Sequence, residues 1–151
     1  LGNGVTINST IQAEDMIMAL PITATTAALC ALLLLITAVD TVRQRMQSKT
    51  AFGDGNGNAK LISASRSHGN LAEHAPLAII MIGLLEPTAD ARALGAVAAV
   101  FVFARICHIF GLYAPMSTEP PLGRKIGVVG TWLTYVVLIA WTLYAVARLG
   151  S

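Results

Sequence analysis

Arg66, Asn70, Glu73 and Leu77 follow one another at intervals of four, three and four residues. On a helix that turns about 100° per residue they fall in one stripe about 60° wide, with His74 beside it. Arg105, His108 and Leu112 form a second set at intervals of three and four. An arginine grips a carboxylate through two parallel N–H donors, and a carboxylate such as Glu73 holds an ammonium group. Arg66, Arg105 and the nearby Arg124 together face a single Glu73. That excess of positive charge suits an anionic ligand. The bland reading is mutual neutralisation, with Glu73 paired to Arg105 or Arg66 in a buried network.

The elements that carry these residues are apolar enough to make their charge conspicuous. Hydrophobic residues make up 55% of the 151 positions and charged residues only 12%, against roughly 25% in soluble domains. The mean hydropathy is +0.67. So little polar surface cannot cover a soluble domain of this size. The expected fold is all-α, an integral membrane four-helix bundle. Residues 1–15 read as a flexible tail or an expression remnant, and residues 16–148 as one domain. Met16–Val39 is nearly free of polar residues and long enough to span a bilayer. Pro21 is tolerated near its start. The glycine-rich run Gly53–Asn58 breaks the chain. Helices are expected at about 16–47, 59–85, 89–113 and 122–148, bounded by Glu86-Pro87-Thr88, Pro115 and Pro120-Pro121. A β-barrel would need alternating ten-residue segments, and none is present.

Loop charge gives an orientation. The first connection carries Arg43, Arg45, Lys49 and Lys60, and the third carries Arg124 and Lys125. Basic loops stay on the cytoplasmic side. Loops one and three are therefore expected there, with both termini on the opposite face. A charge at the bilayer centre costs roughly 2.5–3.5 kcal/mol on insertion scales. The ionic residues of helices two and three must then point into the bundle, at each other or at a polar ligand. Cys30 and Cys107 lie within helices, so a structural disulfide is not expected. His68 and His74 are six apart, which is not the i,i+4 spacing of a helical zinc pair, and no metal is expected. The basic residues form no dense run, so nucleic acid is not an expected partner. Gly123-x-x-x-Gly127 reads equally as a close helix-packing site or a flexible loop end. Trp132, Tyr135, Trp141 and Tyr144 read as interface anchors or bundle packing.

The stretch Arg66-Ser-His68-Gly-Asn70-Leu-Ala-Glu73-His74-Ala-Pro76-Leu77 resembles the second-helix signature of the MAPEG superfamily, membrane-associated proteins in eicosanoid and glutathione metabolism. Supporting matches are Val42-Arg43-Gln-Arg45 closing the first helix, Ala51-Phe52-Gly53 in the loop, and Ala104-Arg105-Ile-Cys-His108 in the third helix. The likeness covers about residues 17–148 and is greatest to bacterial members of the microsomal glutathione transferase type.

The resemblance implies a homotrimer in a bacterial inner membrane, with glutathione held between adjacent subunits near the cytosolic face. It assigns Arg66, Asn70 and Glu73 to the tripeptide, with His74, Arg105 and His108 beside them. Arg43 and His68 would reach a neighbour's glutathione. Arg124 is the expected catalytic residue, a cation that raises the thiolate fraction. The implied activity is a glutathione transferase or peroxidase acting on a lipophilic small molecule drawn from membrane lipid. Two departures are visible. Leu112 stands where some members have tyrosine, with Tyr113 one residue on, and Lys125 follows Arg124 where they have serine. A non-catalytic member that binds lipid or a partner protein is the alternative. A small transporter or channel ranks last, because polar stripes occur on only two helices.

Overall fold

The computed structural model describes residues 20–115 and 119–149. It contains four helices: α1 (Pro21–Ser48), α2 (Ala59–Leu85), α3 (Ala91–Tyr113) and α4 (Leu122–Leu149). The second, third and fourth agree closely with the sequence expectation. The expected start of the first at Met16, and the tail before it, lie outside the described residues.

Local chemistry fixes the helix ends. Asn58 Oδ1 accepts from the backbone N–H of Lys60 (3.1 Å) and Leu61 (3.3 Å), which starts α2. Asp90 Oδ1 accepts from Ala93 N at 2.9 Å and sets the start of α3 two residues later than the apolar run suggests. α1 opens with Pro21 and has no side-chain cap of its own. Glu86, in the α2–α3 turn, supplies one instead. Its carboxylate accepts from Ile22 N (2.6 Å), Thr23 N (2.8 Å) and Thr23 Oγ1 (2.5 Å). Helix N-termini present unpaired N–H groups and a positive dipole, so a carboxylate there answers both. Gly53, Gly55 and Gly57 all take positive φ, which lets the first connection turn sharply.

α2 and α3 are the central pair. α2 packs on all three other helices, whereas α1 and α4 make no contact with each other. Among the described residues, α1, α3 and α4 are long and apolar enough to cross a membrane. α2 falls short on apolarity alone because its first half carries the polar stripe. It is long enough, about 40 Å at 1.5 Å per residue, and lies alongside the other three. Together they make an all-α membrane bundle. Its core includes Leu71, Ile82, Leu94, Phe101 and Leu138. The outward face of α4, from Leu122 through Val136 to Val146, is exposed and apolar, as a lipid-facing surface is. Hydroxyl groups inside the bundle bond back one turn, as Thr26 to Ile22 O, Thr131 to Gly127 O and Thr134 to Gly130 O.

The glycines of α4 settle the reading that sequence left open. A Cβ on Gly127 would sit 2.4 Å from His108 Cβ, and one on Gly111 would sit 2.1 Å from the backbone nitrogen of Arg124. α3 and α4 therefore cross at backbone contact, and Gly123-x-x-x-Gly127 is a packing site. The aromatic residues divide. Tyr135 donates to His74 O at 2.6 Å and Trp141 packs on the core, while Trp132 and Tyr144 face outward.

Candidate functional site

The α2 stripe splits in two. Arg66, Glu73 and Leu77 are exposed on the outer face of α2, in line with Ile62, Ile80 and Leu84. Neither Arg66 nor Glu73 makes a hydrogen bond or an ion pair with any described residue. Glu73 lies at the middle of α2, where a membrane charge is most costly. Pro76 is also inside this helix and has no N–H, so the Ala72 carbonyl lacks its intrahelical donor. One outward patch thus carries a carboxylate and a backbone acceptor, with a guanidinium two turns away. Arg66 further lines a cavity of about 310 Å³ with Arg45, Asp54 and Ser65. Arg45 itself is tied to the loop, donating to Ala51 O at 3.0 Å.

Asn70 turns the other way. Its Oδ1 accepts from Arg105 Nη1 at 2.7 Å. Arg105 is 2% exposed, and its Nη2 also donates to Gly127 O at 2.9 Å and to Thr131 Oγ1. One guanidinium therefore ties α2, α3 and α4 together through neutral acceptors. No carboxylate among the described residues neutralises it, so the network of Arg105 with Glu73 that sequence left open does not form within the chain. Arg105 Nε and His108 Nδ1 have no hydrogen-bond partner among the described residues although both are buried. His108 is 6% exposed and packs on Gly127. His74 is half-buried, with its ring 5.8 Å from that of Tyr135.

The remaining expected residues lie on other faces. His68 Nδ1 is 3.3 Å from Thr37 Oγ1 of α1. Thr37 Oγ1 also reaches Leu33 O (2.9 Å) and Leu34 O (3.1 Å), so its contacts tie the ring to the α1 backbone. Tyr113 donates its hydroxyl to Asp40 of α1, and Ser63 Oγ donates to Leu112 O at 2.8 Å. Tyr113 therefore points away from the α2 stripe, as the rotation of one residue from Leu112 requires. Arg43 is exposed near the end of α1, and Arg124 starts α4 against Gly111. The structure thus brings Asn70 and Arg105 into contact and leaves Arg66 and Glu73 facing outward. Sequence reasoning missed Glu86 as the cap of α1 and Asp40 as the partner of Tyr113. Glu86 stands in the sequence as part of a helix boundary, and Asp40 as the charge that follows an apolar run.

Four packed helices, lipid-facing apolar surfaces and ionic groups at mid-helix define a multi-pass integral membrane protein with a polar site on its central helices. The MAPEG family profile matches residues 23–144, and the chain belongs to that family. It is similar to the inner membrane protein YecN of Escherichia coli K12, 33% identical over 119 residues that cover 78% of this chain and 87% of the relative. The same protein from Escherichia coli O6:H1 matches equally. No solved structure matches the chain. The apolar spans and these relatives place it in a bacterial inner membrane.

Proposed function

We propose that the protein is a glutathione transferase, with peroxidase activity on lipophilic hydroperoxides, that works as a homotrimer. The observation that carries this reading is Glu73: a carboxylate at the centre of a membrane helix, exposed, with no hydrogen bond or ion pair to any described residue. Lipid cannot cover it. A second copy and a polar ligand can. Glutathione has two carboxylates, an ammonium and a thiol. Glu73 and the Ala72 carbonyl suit the ammonium, and Arg66 suits a carboxylate. Leu77, Ile80 and Leu84 continue the same face and would pack on the neighbouring subunit.

The proposed chemistry is loss of the thiol proton followed by attack of the thiolate on a lipophilic electrophile. The carbon–sulfur bond forms as a leaving group departs with its bonding pair, or as a strained ring or conjugated double bond opens and takes up the proton. With a hydroperoxide, the thiolate attacks the terminal oxygen as the O–O bond breaks and the alcohol leaves, and a second glutathione then displaces water to give the disulfide. Arg124 favours the thiolate because a nearby cation stabilises the charged form. In this reading His74, with Arg43 and His68 of a neighbouring copy, completes the polar surroundings, while the buried Arg105, Asn70 and His108 hold the frame. The basic loops, in the same reading, turn the Arg66 end of α2 toward the cytoplasm, so that the ligand reaches from that end to Glu73.

A second reading, a non-catalytic lipid- or partner-binding protein, draws on Tyr113. Its hydroxyl is bound to Asp40 rather than aimed at the stripe. One experiment separates the two. Glutathione is added to the purified, detergent-solubilised protein, and thiolate absorbance and conjugation of a generic aryl halide are followed. An enzyme gives a rise in thiolate absorbance and conjugation. A non-catalytic binder gives neither. Arg124→Ala is expected to retain glutathione binding and lose turnover, and unchanged turnover would remove Arg124 from the thiol-activating role.

A further inference from the structure

Helices α1 and α3 touch only lightly and leave a long open groove between them. At one end, near Pro21, Leu29 and Val102 line a cavity of about 510 Å³. At the other, Leu33, Ile109 and Phe110 line one of about 530 Å³ that reaches Asp40 and Tyr113. Ile106 belongs to the walls of both, so the two are parts of one track. From Pro21 to Asp40 it runs about 28 Å along α1, close to the thickness of a hydrocarbon core. Its walls are apolar and carry no residue of the α2 stripe. It is therefore a separate feature from the glutathione reading.

The chemistry is concentrated at the loop-one end. Tyr113 is the last residue of α3. Its only hydroxyl proton goes to Asp40 Oδ2. On its other side the phenol oxygen faces the Ser67 hydroxyl of α2, so the open acceptor capacity lies on Asp40. Asp40 Oδ1 accepts from Gln44 Nε2 at a long 3.2 Å, and a carboxylate has capacity for further donors. The groove thus ends on the Asp40 carboxylate, to which the neighbouring phenol has already given its proton, so neither group has a proton to offer a ligand. Such an end attracts a cationic donor head and repels a carboxylate or phosphate. The charged groups nearest in sequence, Arg43 and Arg45, carry the opposite sign. Arg45 is directed away, at the loop carbonyls of Ala51 and Gly53.

We propose that the α1–α3 groove binds a single-chain amphiphile with an ammonium head, its alkyl chain along the apolar track and its head at Asp40 and Tyr113. A head group that also carries a phosphate beside the ammonium is disfavoured, because the Asp40 carboxylate repels the phosphate.

The test uses the full chain in phosphatidylcholine vesicles and spin-labelled octadecylamine, octadecanoic acid and phosphatidylethanolamine, with the immobilised fraction read by electron spin resonance. Wild-type protein is expected to immobilise the amine about tenfold more strongly than the acid, as an added charge-assisted hydrogen bond implies. This preference runs against the basic residues at the same end. Asp40→Asn keeps the shape and the partner of Tyr113 and should bring the ratio near one. Tyr113→Phe keeps the carboxylate and should retain the preference. Ile109→Trp fills the track and should release the amine, an independent arm that stands even if Asp40→Asn fails to fold. An amine-to-acid ratio near one in the wild type, or the same ratio in Asp40→Asn, overturns the proposal. So does undiminished amine immobilisation in Ile109→Trp. Equally strong selection of phosphatidylethanolamine over phosphatidylcholine would make the occupant a bilayer lipid and overturn the single-chain assignment.

Discussion

Arg105 and Glu73 are both charged residues in membrane helices, and the fold treats them differently. Arg105 is enclosed, with Asn70, Gly127 and Thr131 as acceptors. Glu73 faces outward with no donor among the described residues. This difference makes their variants behave differently. Asn70→Leu strands a buried guanidinium donor and should cost about 1–3 kcal/mol, read as a lower thermal unfolding midpoint in detergent. Glu73→Gln and Arg66→Ala remove nothing the protomer itself uses. Each should leave that midpoint nearly unchanged while weakening glutathione binding about tenfold or more, since each deletes a charge-assisted contact to the ligand. The sequence displayed the stripe but not its division. Asn70 sits within the 60° arc by helical geometry, yet its amide is close enough to the interior to meet Arg105. Only the distance between α2 and α3 decides that, and spacing along one helix does not contain it.

At the scale of elements, the helices were legible because breakers and apolar runs are local. Pro115, Pro120 and the glycine-rich connection mark ends that any register would respect. What joins the helices was less so. Glu86 binds the start of α1 across a separation of 63 and 64 residues, and no pattern near residue 22 signals it. Glu86→Ala should remove these charge-assisted bonds at a cost of about 1.5–3 kcal/mol. Hydrogen exchange at the first turn of α1 should rise more than elsewhere. Faster exchange spread evenly over all four helices would contradict a local capping role. The α3–α4 crossing makes a further prediction. Gly127→Leu would place a side chain where His108 Cβ already lies, so it should unfold the protein or displace α4. Gly69→Ala meets nothing within 4 Å in the protomer and should be tolerated by it. The sequence could not choose between a packing glycine and a loop glycine at Gly123 and Gly127, because both use the same absence of a side chain.

For the whole molecule, composition was decisive about the membrane and silent about assembly. The central helix exposes Arg66, Glu73, Leu77, Ile80 and Leu84 in one line, and lipid is a costly environment for two of them. Assembly of three copies around that line would cover it, and the ligand would complete the charge balance. Native mass spectrometry from detergent should give a trimer, and Ile80→Lys should shift it toward monomer. The groove between α1 and α3 is independent of this, since none of its walls belongs to α2.

The most direct test of the central claim is calorimetric titration of glutathione into the assembled, detergent-solubilised wild-type protein, with Glu73→Gln run in parallel. The outward charges of α2 predict saturable binding within the millimolar range in the wild type and its loss in the variant. No heat of binding at millimolar glutathione in a correctly assembled sample, or equal binding by Glu73→Gln, would contradict the account.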